Sequence, residues 1–207
     1  LAPLLALVAE RAPGLRLEAR LMGFEALLTA LRDGQVDQAL TWDLGLESDI
    51  ERQVMAQVPP HAVMAASHPL AKRTDLCLHD LADQPLILTD QGLSVGHMRG
   101  LFARAGLVAR IAHRTATLDL MRSFAANALG VGLSYTNPAP RQSPDGKPLV
   151  TRPITDAGSE ALVLARLSVT DDDPAATALR DLLPLVLGPP GFPDGRRVAG
   201  AQALRAR

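Results

Sequence analysis

The pattern in this chain that most resembles a catalytic motif is a serine flanked by glycines. Residues 92–96 read Gly-Leu-Ser-Val-Gly and match G-x-S-x-G, in which a serine on a tight strand-to-helix turn attacks a carbonyl carbon. Hydrolases built on this turn order their triad as serine, acid and histidine, yet no Asp or Glu lies between Ser94 and the last histidine, His113. This order disfavours a serine hydrolase, and the alternative is that Ser94 caps the helix that follows it.

The remaining reactive residue types form no metal, cofactor or acid–base pattern. The five histidines show no H-E-x-x-H spacing, and Cys77 is the only cysteine. Gly130 and Gly132 have no third glycine after them and lie between a predicted helix and a predicted strand, the reverse of a dinucleotide site, so Gly130 is interpreted as a helix cap. The acidic triplet Asp171–Asp173 before Pro174 predicts a helix N-terminus. The sequence therefore predicts no catalytic residue, no metal and no cofactor.

The amino-acid composition limits the kinds of partner that this chain is expected to bind. The chain has 207 residues, 47% of them hydrophobic, which is enough for one ordinary domain or two small lobes with a core. The net charge is −1 and the pI about 6.6, so strong binding to nucleic acid is not expected. No signal-peptide pattern follows Leu1 and no apolar run approaches the length of a membrane span, so we expect a soluble, cytoplasmic protein without a membrane partner.

The elements that must position any site begin with a strand, a helix and a second strand over residues 15–43. Apolar residues alternate along 15–21, as in a strand with one buried face, and then recur at helical spacing from Phe24 to Leu31. Gly34 is predicted to cap that helix, and the apolar run from Val36 to Trp42 indicates a buried strand. A unit of this kind predicts a parallel sheet and places the loop between the first strand and the helix at its carboxyl edge, where ligands of α/β sheets bind.

The same alternation returns further along the chain. Strands are predicted at 85–89, 108–114 and 131–135, with helices at 95–105 and 118–129 between them. A later strand is expected at 161–167, followed by a helix from Pro174 towards Leu187 that Pro184 kinks or ends. We predict lobe I at 1–68 and 147–187, lobe II at 69–146, and a disordered tail at 188–207 because this last stretch is rich in Gly, Pro and Arg.

Five strings in this order resemble the effector-binding domain of LysR-type transcriptional regulators, and together they cover about Leu1 to Leu187. They are Leu27–Leu40 with its R-D-G-Q-V-D, His68–Ala71 (H-P-L-A), Asp80–Leu88, Phe102–Leu107 and Ala125–Leu133. The resemblance implies an α/β fold of two Rossmann-like lobes with a central cleft, like a type 2 periplasmic binding protein. Members of that family begin with a strand and a Ser or Thr loop, whereas Leu1 already lies in the first helix, so the N-terminal strand is expected to be missing from this chain.

The resemblance also implies a function and a site. It implies a regulatory domain that binds a small anionic metabolite in the cleft, forms a homodimer or tetramer through its first helix and a surface of the second lobe, and reaches DNA only through an N-terminal winged helix-turn-helix that this chain does not contain. The alternative is a solute-binding protein of a transporter, and a hydrolase through Ser94 comes third. The implied effector contacts lie on loops at the carboxyl edges of the strands: Gly23, Phe24, Thr41, Trp42, Leu93, Ser94, Val95, Thr117, Ser134, Tyr135 and Asn137.

Overall fold

A computed structural model of the protein describes residues 2–90, 92–138, 141–168, 174–187 and 202–206. The α-helices in these ranges are α1 (Ala2–Arg11), α2 (Phe24–Arg32), α3 (Leu78–Ala82), α4 (Ser94–Arg104), α5 (Leu118–Ala126) and α6 (Pro174–Leu187). The strands are β1 (Leu17–Leu21), β2 (Gln38–Trp42), β3 (Ile50–Val58), β4 (His61–Ala65), β5 (Leu86–Thr89), β6 (Ile111–Thr115), β7 (Val131–Ser134), β8 (Leu149–Pro153), β9 (Glu160–Leu167) and β10 (Gln202–Ala206).

The chain divides into two compact units. Unit 1 comprises Leu1–Val58 and Glu160–Arg207, and unit 2 comprises Pro59–Ser159. The sequence placed these boundaries at 68/69 and 146/147, inside unit 2. The difference arises because β4 pairs with both β7 and β8, so the two strands nearest the predicted boundaries belong to the sheet of unit 2.

The core of unit 1 forms where α2 packs on its sheet. The predicted apolar stripe buries Leu27, Leu28 and Leu31, which join Ala39 of β2 and Val163 of β9 in one cluster. As predicted, the chain leaves this helix in a left-handed conformation at Gly34, with a φ of 64°.

The sheet of unit 1 has the strand order β1-β10-β2-β9-β3. All four neighbouring pairs in it are antiparallel, so the parallel pairing predicted for the first strand–helix–strand unit is wrong in this detail. β1 and β2 do run in the same direction, but β10 lies between them and is antiparallel to both. Their carboxyl ends therefore still lie at one edge of the sheet.

The end of the chain differs from the predicted disordered tail. Residues 202–206 form β10, which pairs with all five residues of β1 and with residues 38–40 of β2. Residues 188–201 lie outside the described ranges. The prediction failed at β10 because the short run Gln-Ala-Leu-Arg-Ala has no strong strand pattern, and its pairing comes from residues more than 150 positions away.

The sheet of unit 2 has the order β6-β5-β7-β4-β8. β5 pairs in parallel with β6 and β7, as the strand–helix alternation predicted. The turn between α5 and β7 differs from the prediction: α5 ends at Ala126, and Ala128 takes the left-handed conformation, so Gly130 is not the helix cap. A glycine is needed at 130 because a Cβ there would overlap the Pro85 carbonyl oxygen.

Helix α6 continues through Pro184 rather than ending there. Leu179 and Leu183 are almost fully buried, so packing holds the helix together despite the missing N–H of the proline. Within the described part of the chain, no helix has the length and hydrophobicity needed to cross a membrane.

Candidate functional site

The residues predicted at the site lie at two sheet edges, one in each unit. In unit 1, Gly23 precedes α2 at the end of β1, and Phe24 is the first residue of that helix. Thr41 and Trp42 end β2 at the same edge. Gly23 is exposed, and Phe24 and Trp42 are half-buried. The Asp43 N–H donates to the Ala161 carbonyl at 2.9 Å and so extends the pairing of β2 with β9 by one residue.

Thr41 is the exception on this edge, since it is buried inside the sheet. Its exposed fraction is 1%, and it lies opposite Val163 of the core cluster. The Thr41 hydroxyl oxygen is buried and has no hydrogen-bond partner among the described residues. A buried hydroxyl without a partner costs free energy, so a polar group that reached it would be bound favourably.

The edge of unit 2 is built by three parallel strands. β5, β6 and β7 end at Thr89, Thr115 and Ser134, and the Asp90 N–H donates to the Thr115 carbonyl at 2.8 Å, which ties the ends of β5 and β6 together. α4 and α5 begin at this edge, after β5 and β6 respectively.

The helices at these edges differ in how their N-termini are satisfied. The Thr117 side chain accepts a hydrogen bond from the Leu120 N–H at 3.2 Å and so caps α5. α2 follows Gly23 and α4 follows Leu93, and neither of these residues caps its helix with a side chain. The first amide groups of α2 and α4 thus lie at the sheet edges and receive no side-chain hydrogen bond from these two N-cap residues, an arrangement that favours an anion.

Ser94 does not act as the predicted helix cap. It is the first residue of α4, and its hydroxyl donates to the Thr89 carbonyl at 2.6 Å. That hydrogen bond holds the start of α4 against the end of β5. Since the hydroxyl proton is directed to a backbone carbonyl, the contact gives Ser94 none of the activation that a nucleophile needs. Leu93 beside it is 43% exposed, whereas Val95 is buried.

His97 joins the site although the sequence did not point to it. Its Nε2 lies 2.9 Å from the Tyr135 hydroxyl, and the two ring centroids are 5.6 Å apart. Tyr135 follows β7 directly and is 7% exposed. The available signal was the helical spacing: His97 lies three residues after Ser94, on the same side of α4.

The segment from Ser134 to Thr136 is held by hydrogen bonds at several points. The Ser134 hydroxyl accepts from the Thr136 N–H at 2.9 Å and lies 3.0 Å from the Thr136 carbonyl oxygen. His61, the first residue of β4, contacts that carbonyl through Nε2 at 3.1 Å. Burial lowers the pKa of His61 to about 4, so the ring is neutral near pH 7 and donates from Nε2. Asn137 follows this segment and is half-buried.

The polar groups at the two edges fit recognition of a ligand better than catalysis. Among the residues that the structure describes, no group of three or more His, Cys, Asp or Glu side chains is placed to hold a metal ion. What the edges offer is a set of amide groups, hydroxyls and one imidazole. Such groups form hydrogen bonds to a small polar molecule.

Comparisons with known proteins agree with this description. Residues 1–186 match the family model described as the LysR substrate binding domain. In sequence, the chain is 25% identical over 124 residues to an uncharacterised HTH-type transcriptional regulator, YnfL, of Escherichia coli (strain K12). That match covers 58% of this chain and 42% of the regulator, so the chain spans less than half the length of this relative.

Solved structures show the same fold. The C-terminal domain of a probable LysR family transcriptional regulator from Rhodococcus sp. RHA1 is 29% identical, with a TM-score of 0.83 over 88% of this chain and 91% of that domain. The BenM effector binding domain with its effector benzoate has a TM-score of 0.75 at 20% identity, over 90% of this chain and 85% of that one.

Proposed function

The chain belongs to the LysR substrate binding domain family, and we propose that it senses a small anionic metabolite for a DNA-binding transcriptional regulator. The family assignment favours this function over a solute-binding protein of a transporter. One observation carries the proposal for the ligand: α4 begins at the carboxyl edge of three parallel strands, and its N-cap residue, Leu93, gives it no side-chain hydrogen bond. A carboxylate is the simplest partner for such amide groups.

Further contacts support the same ligand class. Ser94, Tyr135 and Ser134 place hydroxyl groups at the edge of unit 2, with Leu93, Val95, Thr117 and Asn137 around them. In unit 1, the buried Thr41 hydroxyl has no partner among the described residues, and α2 likewise begins without a side-chain cap. The proposed contacts on this edge are Gly23, Phe24, Thr41 and Trp42.

The proposal for the rest of the regulator is based on the family to which the chain belongs. In the complete protein, DNA is bound by an N-terminal winged helix-turn-helix, and the domain forms a homodimer or tetramer in the cytoplasm. Effector binding shifts the population of its conformations and so the arrangement of the DNA-binding parts. The family supports a regulatory rather than an enzymatic role for the chain, and the Ser94 hydroxyl, the nucleophile that the sequence suggested, donates to the Thr89 carbonyl.

A thermal-shift screen tests the ligand class. Aromatic acids including benzoate, hydroxy acids, dicarboxylates and amino acids are each compared with the neutral amide of the same skeleton. A ligand at one hundred times its dissociation constant is expected to stabilise the chain by about 2.7 kcal/mol. An acid that stabilises the chain while its amide does not supports the proposal. If no acid stabilises it, or if amides are equally effective, the proposal of an anionic effector is wrong.

A further inference from the structure

A side-chain hydrogen bond between His97 and Tyr135 joins α4 to the end of β7 at the edge of unit 2. The two residues are 38 positions apart in the chain, and the bond between Nε2 and the phenol oxygen is 2.9 Å long. The rings are tilted by 51° with their centroids 5.6 Å apart, so they also pack against each other. The pair thus connects the first turns of a helix with the residue that follows a central strand.

The backbone on both sides of this pair is held independently. On the α4 side, Ser94 is tied to Thr89, and the His97 N–H donates to the Leu93 carbonyl at 2.9 Å. On the β7 side, Ser134 and His61 hold Thr136. With both backbones held in this way, His97 acts on the orientation of the Tyr135 ring rather than on the course of the chain.

Tyr135 has the largest side chain among the residues proposed as effector contacts at the edge of unit 2. Tyr135 is 7% exposed and lies directly beyond Ser134, while His97 is half-buried beside it. A hydrogen bond at the hydroxyl favours one orientation of the phenol among those that the packing around the ring allows. A ligand that reached this edge would meet the ring in that orientation.

We propose that His97 is a positioning residue of the effector site: by holding the Tyr135 hydroxyl it sets the orientation of the ring and thereby the selectivity for effectors. This inference rests on the proposed function, since it concerns the same edge of unit 2. His97 acts through Tyr135 and has no required contact with the effector. Its contribution is the hydrogen bond across the pair.

The test compares four variants with the wild-type chain in the screen of acids: His97→Ala, His97→Gln, Tyr135→Phe and His97→Ala with Tyr135→Phe. His97→Ala is expected to change the order of preference among the acids and to weaken the best acid about threefold to tenfold, the effect of losing one hydrogen bond. His97→Gln should restore part of the selectivity because its amide can still bond the phenol. The double variant should be no weaker than Tyr135→Phe alone, because both remove the same bond.

His113→Gln is the matched control. His113 is also half-buried in unit 2 and contacts an aromatic ring, with centroids 5.4 Å from Phe124, but it lies on β6. This variant should keep the wild-type preference. An unchanged order of preference in His97→Ala, or a His97→Gln variant as impaired as His97→Ala, would overturn the inference.

The NMR signals of the Tyr135 ring separate this inference from the proposed function, since Tyr135 is the one tyrosine of the sequence. His97→Ala should shift these ring signals with no acid added, while His113→Gln should leave them unchanged. If the signals shift but no acid binds the wild-type chain, the contact is confirmed and the effector function, together with the selectivity that rests on it, is wrong. If the ring signals stay the same in His97→Ala, the positioning role is wrong whatever the screen finds.

Discussion

At the scale of single residues, His61 is buried in unit 2, and its position accommodates the imidazole only as a neutral ring. His61 is 7% exposed, and its Nε2 donates to the Thr136 carbonyl. Desolvation is the largest cause of its lowered pKa, and the positive charge of Arg122 acts in the same direction. The histidine is therefore a polar support for the segment that carries Tyr135, and it tolerates the interior only while it is uncharged.

This burial predicts a loss of stability in mild acid. The pKa of His61 is about 4 when folded and 6.5 when unfolded, so between these values the unfolded chain binds more protons and stability falls as the pH falls. Between pH 7 and pH 5 the residue should account for a loss of about 2 kcal/mol in the free energy of unfolding. Urea unfolding at both pH values measures it. His61→Gln, which keeps a donor for Thr136 but does not titrate, should lose about 2 kcal/mol less, and an equal loss in both chains would contradict the assignment.

At the scale of elements, strong local periodicity of apolar residues was sufficient to predict a helix or a strand from the sequence. Strands with a weak pattern, which are defined by pairing with distant parts of the chain, could not be predicted in this way. The stripe from Phe24 to Leu31 and the parallel strands β5, β6 and β7 were predictable because apolar spacing alone defines them. β8 and β10 were missed because their pairing depends on strands far away in the chain. For the site, the family resemblance pointed to Ser94 and Tyr135, which remain predictions, whereas the side-chain contact of His97 with Tyr135 requires the fold to be known.

Gly130 provides a test of the turn between α5 and β7. Its φ of 153° and the Pro85 carbonyl beside it leave no room for a Cβ, and the obstacle is backbone that cannot move away. Gly130→Ala should therefore lower the free energy of unfolding by about 3 kcal/mol or more in chemical denaturation. Gly14→Ala serves as the control because nothing lies within 4 Å of its added Cβ, so a change within about 0.5 kcal/mol is expected there. Equal effects in both variants would show that the close approach at Gly130 is absent in solution.

β10 provides a second test at this scale. All five residues of β1 pair with β10, so a chain that ends after Leu187 should leave the backbone of β1 without this ladder. Hydrogen exchange should then show β1 amides losing their protection. The amides of β5 are the internal control, since β6 and β7 remain in the shortened chain. Protection of β1 that survives the truncation would mean that β10 does not pair there in solution.

At the scale of the whole molecule, charge and division into units are the properties that bear on function. Lys and Arg number 21 against 22 Asp and Glu, so the chain as a whole presents no net attraction to a polyanion. The recognition of a small anion that we propose depends instead on local groups, namely the amides at the start of α4 and the hydroxyls beside them. A near-neutral chain is compatible with an anionic effector because its site acts over a few ångströms.

The balance of charge predicts weak binding to DNA by this chain on its own. In a gel-shift assay at about 0.15 M salt, the chain at about 10 μM should not retard a random duplex. The same assay at about 0.02 M salt is the control for residual electrostatic attraction. Retardation at the higher salt concentration, with a steep dependence on salt, would reveal a basic surface that the overall composition conceals.

The position of β10 has a consequence for folding during protein synthesis. Unit 2 is one continuous segment, Pro59–Ser159, whereas unit 1 needs residues from both sides of it. Every residue of unit 2 therefore emerges from the ribosome before β9, α6 and β10 do. Unit 2 can fold at a stage when the strand that lies between β1 and β2 is not yet available. During that interval β2 carries unpaired backbone on both sides, and the nascent chain is most exposed to wrong strand pairing and to chaperones.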